Sequence, residues 1–177
     1  MHERPILGNR LLDALPNEAF SAVSPDLRAI EFEHGDSVYT AGARIGSLYF
    51  PVDCVLSAVT VMLNGDQCAT SSVGHEGACG VELLFAPDHR SGGATTCQIR
   101  GTAYAMPGTA FLEHCARLPA FRKRVDAFTE SLFSAIRQSV ACNRLHGLRR
   151  RCACYLLGTQ DRVGNNEFFL TQEALAT

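Results

Sequence analysis

Eight cysteines are spread along this chain, at positions 54, 68, 79, 97, 115, 142, 152 and 154, yet no Cys-x-x-Cys pair occurs. The closest two, Cys152 and Cys154, would diverge on a helix. A redox or iron–sulfur role needs clustered thiolates, and the sequence brings none together. The cysteines therefore read as small buried hydrophobes in a reducing compartment. No apolar run approaches bilayer-spanning length. Met1-His2-Glu3-Arg4-Pro5 lacks the apolar stretch of a signal peptide, so a cytoplasmic location without membrane contact is expected. Positive charge is not in excess: the formal net charge is -2. That argues against a globally basic nucleic-acid binder but permits a local patch. Catalytic signatures are missing too, with no Gly-x-Ser-x-Gly, His-Glu-x-x-His or Walker loop. A jelly-roll metal oxygenase needs two His and a carboxylate facing inward. His34, His75, His89, His114 and His146 fall in predicted turns, loops or helices instead, so no enzyme is expected.

What is present is a globular composition, 46% hydrophobic and 19% charged over 177 residues, enough for one buried core and a short appendage. Asn9 to Leu15 and Glu18 to Val23 have helical spacing, interrupted at Pro16-Asn17. From Arg28 the period changes to two, with Ala29-Ile30-Glu31-Phe32-Glu33 alternating as a half-buried strand does. Short strands follow at Val38-Tyr39, Ser47 to Pro51 and Val55 to Leu63. Asn64-Gly65-Asp66 is a hairpin signal, and the partner strand runs from Cys68 to Val73. Two more strands, Ala94 to Ile99 and Thr102 to Met106, join at Arg100-Gly101. Many short strands with Gly turns predict an all-β barrel or jelly roll.

Thr109 is the expected cap of a helix running to Ala116. The longest helical pattern follows, from Pro119 to Asn143, with Phe121, Val125, Phe128, Leu132, Ile136 and Val140 recurring every three or four residues. Such a stripe can lie on its own β core. Phe133, Ala135 and Ser139 widen it beyond one face, which favours a second helix packed against it in a parallel two-fold dimer seam. Gly147 to Gly158 predicts another helix with Leu148, Cys152, Tyr155 and Leu156 on one face, and residues 160–166 predict a loop. Thr171 then caps a helix whose apolar face begins at Leu175 and which the sequence leaves after one turn.

Two constellations bear on ligands. Gly74 to Gly93 is a Gly-rich loop leading into a short apolar stretch, a geometry that can offer backbone N–H groups to an anion or serve only as a barrel corner. Arg144, Arg149, Arg150 and Arg151 form a basic cluster that can touch phosphate or simply be a solvated helix start.

The order of these elements resembles the transcription regulators related to the cyclic-AMP receptor and the fumarate–nitrate regulator, the Crp/Fnr family. The residues that carry the resemblance are Asn9-Arg10-Leu11-Leu12-x-x-Leu15-Pro16, Gly35-Asp36-x-Val38-Tyr39-x-x-Gly42 and Leu48-Tyr49-Phe50-Pro51-x-x-x-Val55-Leu56-Ser57. Gly77-x-x-Gly80-Val81-x-Leu83-Leu84-Phe85 stands where that family has its phosphate-binding cassette. Asn143 to His146, Asp161-Arg162 and Leu170 to Ala176 resemble the passage into a winged helix-turn-helix. The resemblance implies a mainly β fold with flanking helices: a cyclic-nucleotide-binding-like β-jelly roll followed by a long dimerisation helix. It implies ligand contacts at Gly77, Gly80, Val81, Glu82, Leu83, Arg90 and Ser91.

Two departures bear on the effector. Nucleotide-binding members place a Glu directly after the cassette glycine and an Arg-Ser or Arg-Thr pair on the cyclic phosphate. Here Glu82 stands one position late and Arg90-Ser91 one position off. A phosphate without its Arg loses a charge-assisted fork, which argues against tight cyclic-AMP binding. Another small-molecule effector, or none, is expected, and no cofactor.

The expected organisation is a sensor domain over residues 1–118, a dimerisation helix over 119–145, and the start of a truncated winged helix-turn-helix over 146–177. The expected function is the sensing and dimerising part of a homodimeric transcription regulator whose DNA contacts come from the largely missing C-terminal domain. The alternative is a stand-alone ligand-binding module acting on a protein partner.

Overall fold

Asn9 shows how the fold begins. Its side-chain oxygen accepts the Leu12 N–H and caps α1 (Arg10–Asp13), while its amide nitrogen donates to the carbonyls of Pro51 and Gly77 at 2.7 and 2.9 Å. One fully buried carboxamide thus ties the N-terminal helix to the end of β3 and to the loop at Gly77. The computed structural model describes residues 5–62, 64, 65, 67–86, 88–165 and 167–169. The expected helix opening at Thr171 and Leu175, and Asp66 of the hairpin, lie outside the described residues.

After α1 come α2 (Asn17–Val23) and a single 3₁₀ turn at Ser24–Asp26. The strands are β1 (Arg28–Phe32), β2 (Ser37–Tyr39), β3 (Ser47–Pro51), β4 (Val55–Val61), β5 (Gln67–Val73), β6 (Ala94–Ile99) and β7 (Gly101–Pro107). They form two antiparallel sheets, in the orders β1-β7-β3 and β2-β6-β4-β5. Between β5 and β6 lies the Gly-rich segment, with a 3₁₀ turn at Val81–Leu84. Three helices follow: α3 (Gly108–Arg117), α4 (Pro119–Leu145) and α5 (Leu148–Val163). This is the expected mainly β jelly roll with a long C-terminal helix.

The core forms where the inward residues of both sheets meet the helices. Leu48, Phe50, Leu56, Cys97, Ala103 and Met106 are buried from the strands, and Phe111, Phe121 and Val125 close the core from α3 and α4. Phe111 and Phe121 meet edge to face with ring centroids 5.9 Å apart, a favourable quadrupole arrangement.

Local expectations failed in three places, each for a tertiary reason. Thr109 does not cap α3. The helix starts at Gly108 after an extended Pro107, because the Gly108 N–H pairs with the Gly46 carbonyl and a side chain there would meet Leu83. The alternation in β1 does not make it half-buried. Only Phe32 is buried, since β1 is an edge strand paired with β7 alone. Finally, α5 continues through Gly158 to Val163, and residues 160–163 are helix rather than loop. Contacts with the barrel, described below, hold that last turn.

Among the cysteines, Cys54, Cys79, Cys97 and Cys115 are buried as expected, whereas Cys68 and Cys154 are exposed. Burial pushes the Cys54, Cys97 and Cys115 thiols up to about 12 from an ordinary value of 9.0. A raised thiol pKa favours the folded state only while the unfolded chain's thiols stay protonated. Stability should therefore hold below pH 9 and fall between about 9 and 12. Urea midpoints measured across that range should fall with rising pH, and a Cys54→Ala, Cys97→Ala variant should show a shallower fall. Asn9→Ala leaves two buried carbonyls unpaired and removes a cap, so urea unfolding should show a loss of about 2–4 kcal/mol. A loss near zero would mean the carboxamide is not the tie described.

Candidate functional site

Between β5 and the 3₁₀ turn the chain passes Gly74, Gly77 and Gly80, and each is a glycine because something presses on it. At Gly77 an added Cβ would lie 1.8 Å from the Phe128 ring of α4. At Gly74 it would lie 2.5 Å from the carbonyl and Cβ of Arg162 in α5. Gly80 has φ +100°, a left-handed conformation that glycine adopts freely, and an added Cβ there would fall 2.4 Å from the Tyr39 hydroxyl. The same hydroxyl donates to the Ser47 and Cys79 carbonyls at 2.7 and 3.1 Å. Burial pushes the Tyr39 phenol far above its ordinary range, so it acts only as a neutral donor. Cys79 and Tyr49 exchange both backbone hydrogen bonds, at 2.7 and 3.1 Å, and pin the segment to β3.

The residues expected at the ligand divide into two groups held by different neighbours. Gly77 and Gly80 are packing sites, and Val81 and Leu83 are core residues, 4% and 3% exposed. Glu82 is half-buried and close enough to disfavour ionisation of both Tyr39 and Cys79. Arg90 and Ser91 belong to the other group. The Arg90 guanidinium donates to the Gly42 carbonyl at 2.6 Å, and the Ser91 hydroxyl donates to Gly93 at 2.6 Å. Backbone bonds from Gly42 to Ser91 and from Ser91 to Ala43 fasten both to the turn between β2 and β3. Glycine spacing announced the segment. Nothing local announced Tyr39, Asn9 or Phe128 as the groups that shape it. Among the described residues no group of three His, Cys, Asp or Glu side chains is placed to hold a metal ion.

The long helix also divides. Phe121, Val125 and Phe128 are buried in the core of their own chain, and Leu132 packs against that core. Beyond Leu132 the apolar side chains turn outward: Phe133 is 57% and Val140 65% exposed, with Ile136 between them half-buried. A shallow concavity is lined by Glu130, Phe133, Ile136 and Arg137. Past the elbow at His146-Gly147, Arg149, Arg150 and Arg151 stand exposed in the first turns of α5, with Arg144 just before it. None of the four forms an ion pair among the described residues. Residues 131–165 carry six arginines against one aspartate, whereas residues 1–130 carry ten basic against fifteen acidic side chains.

If Gly77 is a seat for Phe128, Gly77→Ala should destabilise the chain by about 1–3 kcal/mol through overpacking. In a Phe128→Leu background, where the ring is absent, more than half of that penalty should disappear on urea unfolding. Equal penalties in the two backgrounds would show that the contact is not the reason for the glycine.

No family model matches the sequence, and no curated protein matches it. Solved structures do. A transcriptional regulator of the Crp/Fnr family from Eubacterium rectale superposes with a TM-score of 0.72 at 14% identity, over 94% of this chain and 77% of that one. The catabolite activator protein of Thermus thermophilus gives 0.60 at 14% identity, over 95% and 84%. The c-di-GMP-responsive global regulator of Xanthomonas campestris gives 0.66 at 8% identity, over 91% and 88%. At these identities the likeness is one of fold, and the fold of this chain is that of Crp/Fnr-family transcription regulators.

Proposed function

We propose that this chain is the sensing and dimerising part of a Crp/Fnr-like transcription regulator, with residues 1–118 as the sensor barrel, 119–145 as the dimerisation helix and the residues from 146 onward as the opening of the DNA-reading module. One observation carries the reading. The 27-residue helix α4 spends its first half closing its own barrel and then presents Phe133, Ile136 and Val140 at a spacing of three and four, with Phe133 and Val140 exposed and Ile136 half-buried. Large apolar side chains on an isolated helix face are costly in water and are relieved by a second copy of the same helix. A two-fold axis along that face would place the basic elbows of both subunits at one end of the dimer. Phosphate backbones would then meet arginines with no competing acidic partners.

The seam in this reading starts later than the sequence pattern alone places it. Phe121, Val125 and Phe128 serve the subunit's own core, with Leu132 packed against it, and in this reading Phe133, Ile136 and Val140 serve the pair. The effector in this reading is a small molecule other than cyclic AMP. One guanidinium nitrogen of Arg90 and the hydroxyl of Ser91 are bonded to the chain's own carbonyls, and the pair stands one position off the family's phosphate-binding pair, which supports this reading.

Light scattering of the purified chain should give a dimer. Phe133→Asp combined with Val140→Asp should give monomers with the thermal midpoint of the barrel unchanged, because both residues lie outside the core. A wild-type monomer, or a double variant that remains dimeric, contradicts the seam. Cyclic AMP at 1 mM should leave the midpoint in place, since a ligand at about a hundred times its Kd adds about 2.7 kcal/mol and would be seen.

A further inference from the structure

The loop from Gly74 to Glu76 is bonded to the last turn of α5. The His75 N–H donates to the Arg162 carbonyl at 3.2 Å, and His75 Nδ1 lies 2.6 Å from the same oxygen, which places the proton on Nδ1. That carbonyl is in the last turn of α5 and has no partner within its own helix, so the loop completes the helix end. The Arg162 guanidinium reaches back: Nε donates to the Ser72 carbonyl at 3.0 Å and lies 3.3 Å from Glu76 Oε1, and Nη1 donates to Gly158 at 3.0 Å. The other oxygen of Glu76 accepts the Gly74 N–H at 3.0 Å. One carboxylate therefore shapes the loop and holds the helix together. Farther along α5 the Gln98 amide donates to the Tyr155 hydroxyl, and Gln98 in turn accepts from Ser57, which is paired with Ser72. Thr159, between Tyr155 and Arg162, is 2% exposed.

The docked residues Tyr155, Thr159 and Arg162 recur at a spacing of four and three, and they are polar. The leucines of α5 are not docked: Leu148 is 65%, Leu156 41% and Leu157 61% exposed. A contact made of hydrogen bonds with little apolar burial exchanges readily for water, because the net gain per bond is small. The contrast with α4 is sharp, since Phe121 and Val125 cannot leave without opening the core. α5 is therefore the element that can separate from the barrel as a unit.

The loop also connects to the cassette. Gly77, one residue beyond Glu76, is held by Asn9 and Phe128, and Gly80 by Tyr39. We propose that residues 74–76 form a latch that keeps α5 closed against the barrel, with Arg162 as its fastening, and that displacement of the cassette at 77–84 releases α5 directly. This route does not pass through the dimer helix. Its consequence for transcription rests on the reading that α5 opens the DNA-reading module. In that reading the closed position is autoinhibitory, holding the module in one orientation until the cassette moves.

Hydrogen–deuterium exchange of the full 177-residue chain tests both halves. Arg162→Gln should raise exchange across residues 148–163 by about tenfold, while strands 55–61 and 94–99 stay protected. Glu76→Gln should raise it less, since Arg162 keeps its bonds to Ser72 and Gly158, and the double variant should match Arg162→Gln, since the pair is already broken there. Tyr39→Phe, which removes the hydroxyl holding the cassette but touches nothing in α5, should loosen residues 77–84 and 148–163 together. Unchanged α5 exchange in Arg162→Gln overturns the latch, as does an equal rise in α5 and in the strands. A Tyr39→Phe chain that loosens only its cassette overturns the link to the sensor. None of these rates depends on DNA or on the dimer, so a failed transcriptional reading leaves them readable, and a failed latch leaves the dimer measurement standing.

Discussion

The Phe128 ring lies where any side chain at position 77 would have to be, and the remaining architecture depends on that contact. It fixes the cassette against α4 on one side. Tyr39 fixes it against β2 and β3 on the other, through a hydroxyl shared between the Ser47 and Cys79 carbonyls. Asn9 closes the third side by donating to Gly77 and Pro51. A segment of a few residues between β5 and β6 is thereby placed in van der Waals contact or hydrogen bonding with the N-terminal helix, a sheet and the long helix. Cores this tightly packed have discrete arrangements rather than a continuous range. A small shift of the cassette cannot be absorbed locally.

This packing sets what the Gly-rich segment does in the fold. The glycines of the Gly-rich segment are spent on close approach, not on presenting N–H groups to a phosphate. Arg90 and Ser91, which the family resemblance places near a ligand, fasten the turn between β2 and β3. The segment is the point at which barrel, long helix and α5 meet. Charge adds a direction. The barrel portion is acidic and the region from 131 to 165 basic, so the electrostatic field changes sign along the chain.

Much of the barrel could be read from residue patterns. The limits of β3 and β6 agree with the alternation and turn signals, Asn64-Gly65 falls in the connection between β4 and β5 with Gly65 at φ +91°, and Pro119 opens the long helix as expected. These features are local: they depend on side-chain period, on glycine's access to positive φ and on proline's fixed φ. The start of α3, the exposure of β1 and the last turn of α5 were not legible. Each depends on a partner distant in sequence: Gly46 for Gly108, the single neighbour β7 for β1, and His75 with Ser72 for Arg162.

The candidate site followed the same division. By itself, the amino-acid order determined that residues 74–93 form a Gly-rich corner and that an apolar stripe runs from Phe121 to Val140, because glycine content and helical period are properties of neighbouring residues. Only the tertiary structure decided that the corner's glycines accommodate Phe128, Tyr39 and Arg162, and that the stripe changes from core to surface after Leu132. The reason is geometric. A helix has the same periodicity whether or not a barrel lies beneath it, and the barrel ends where its strands do.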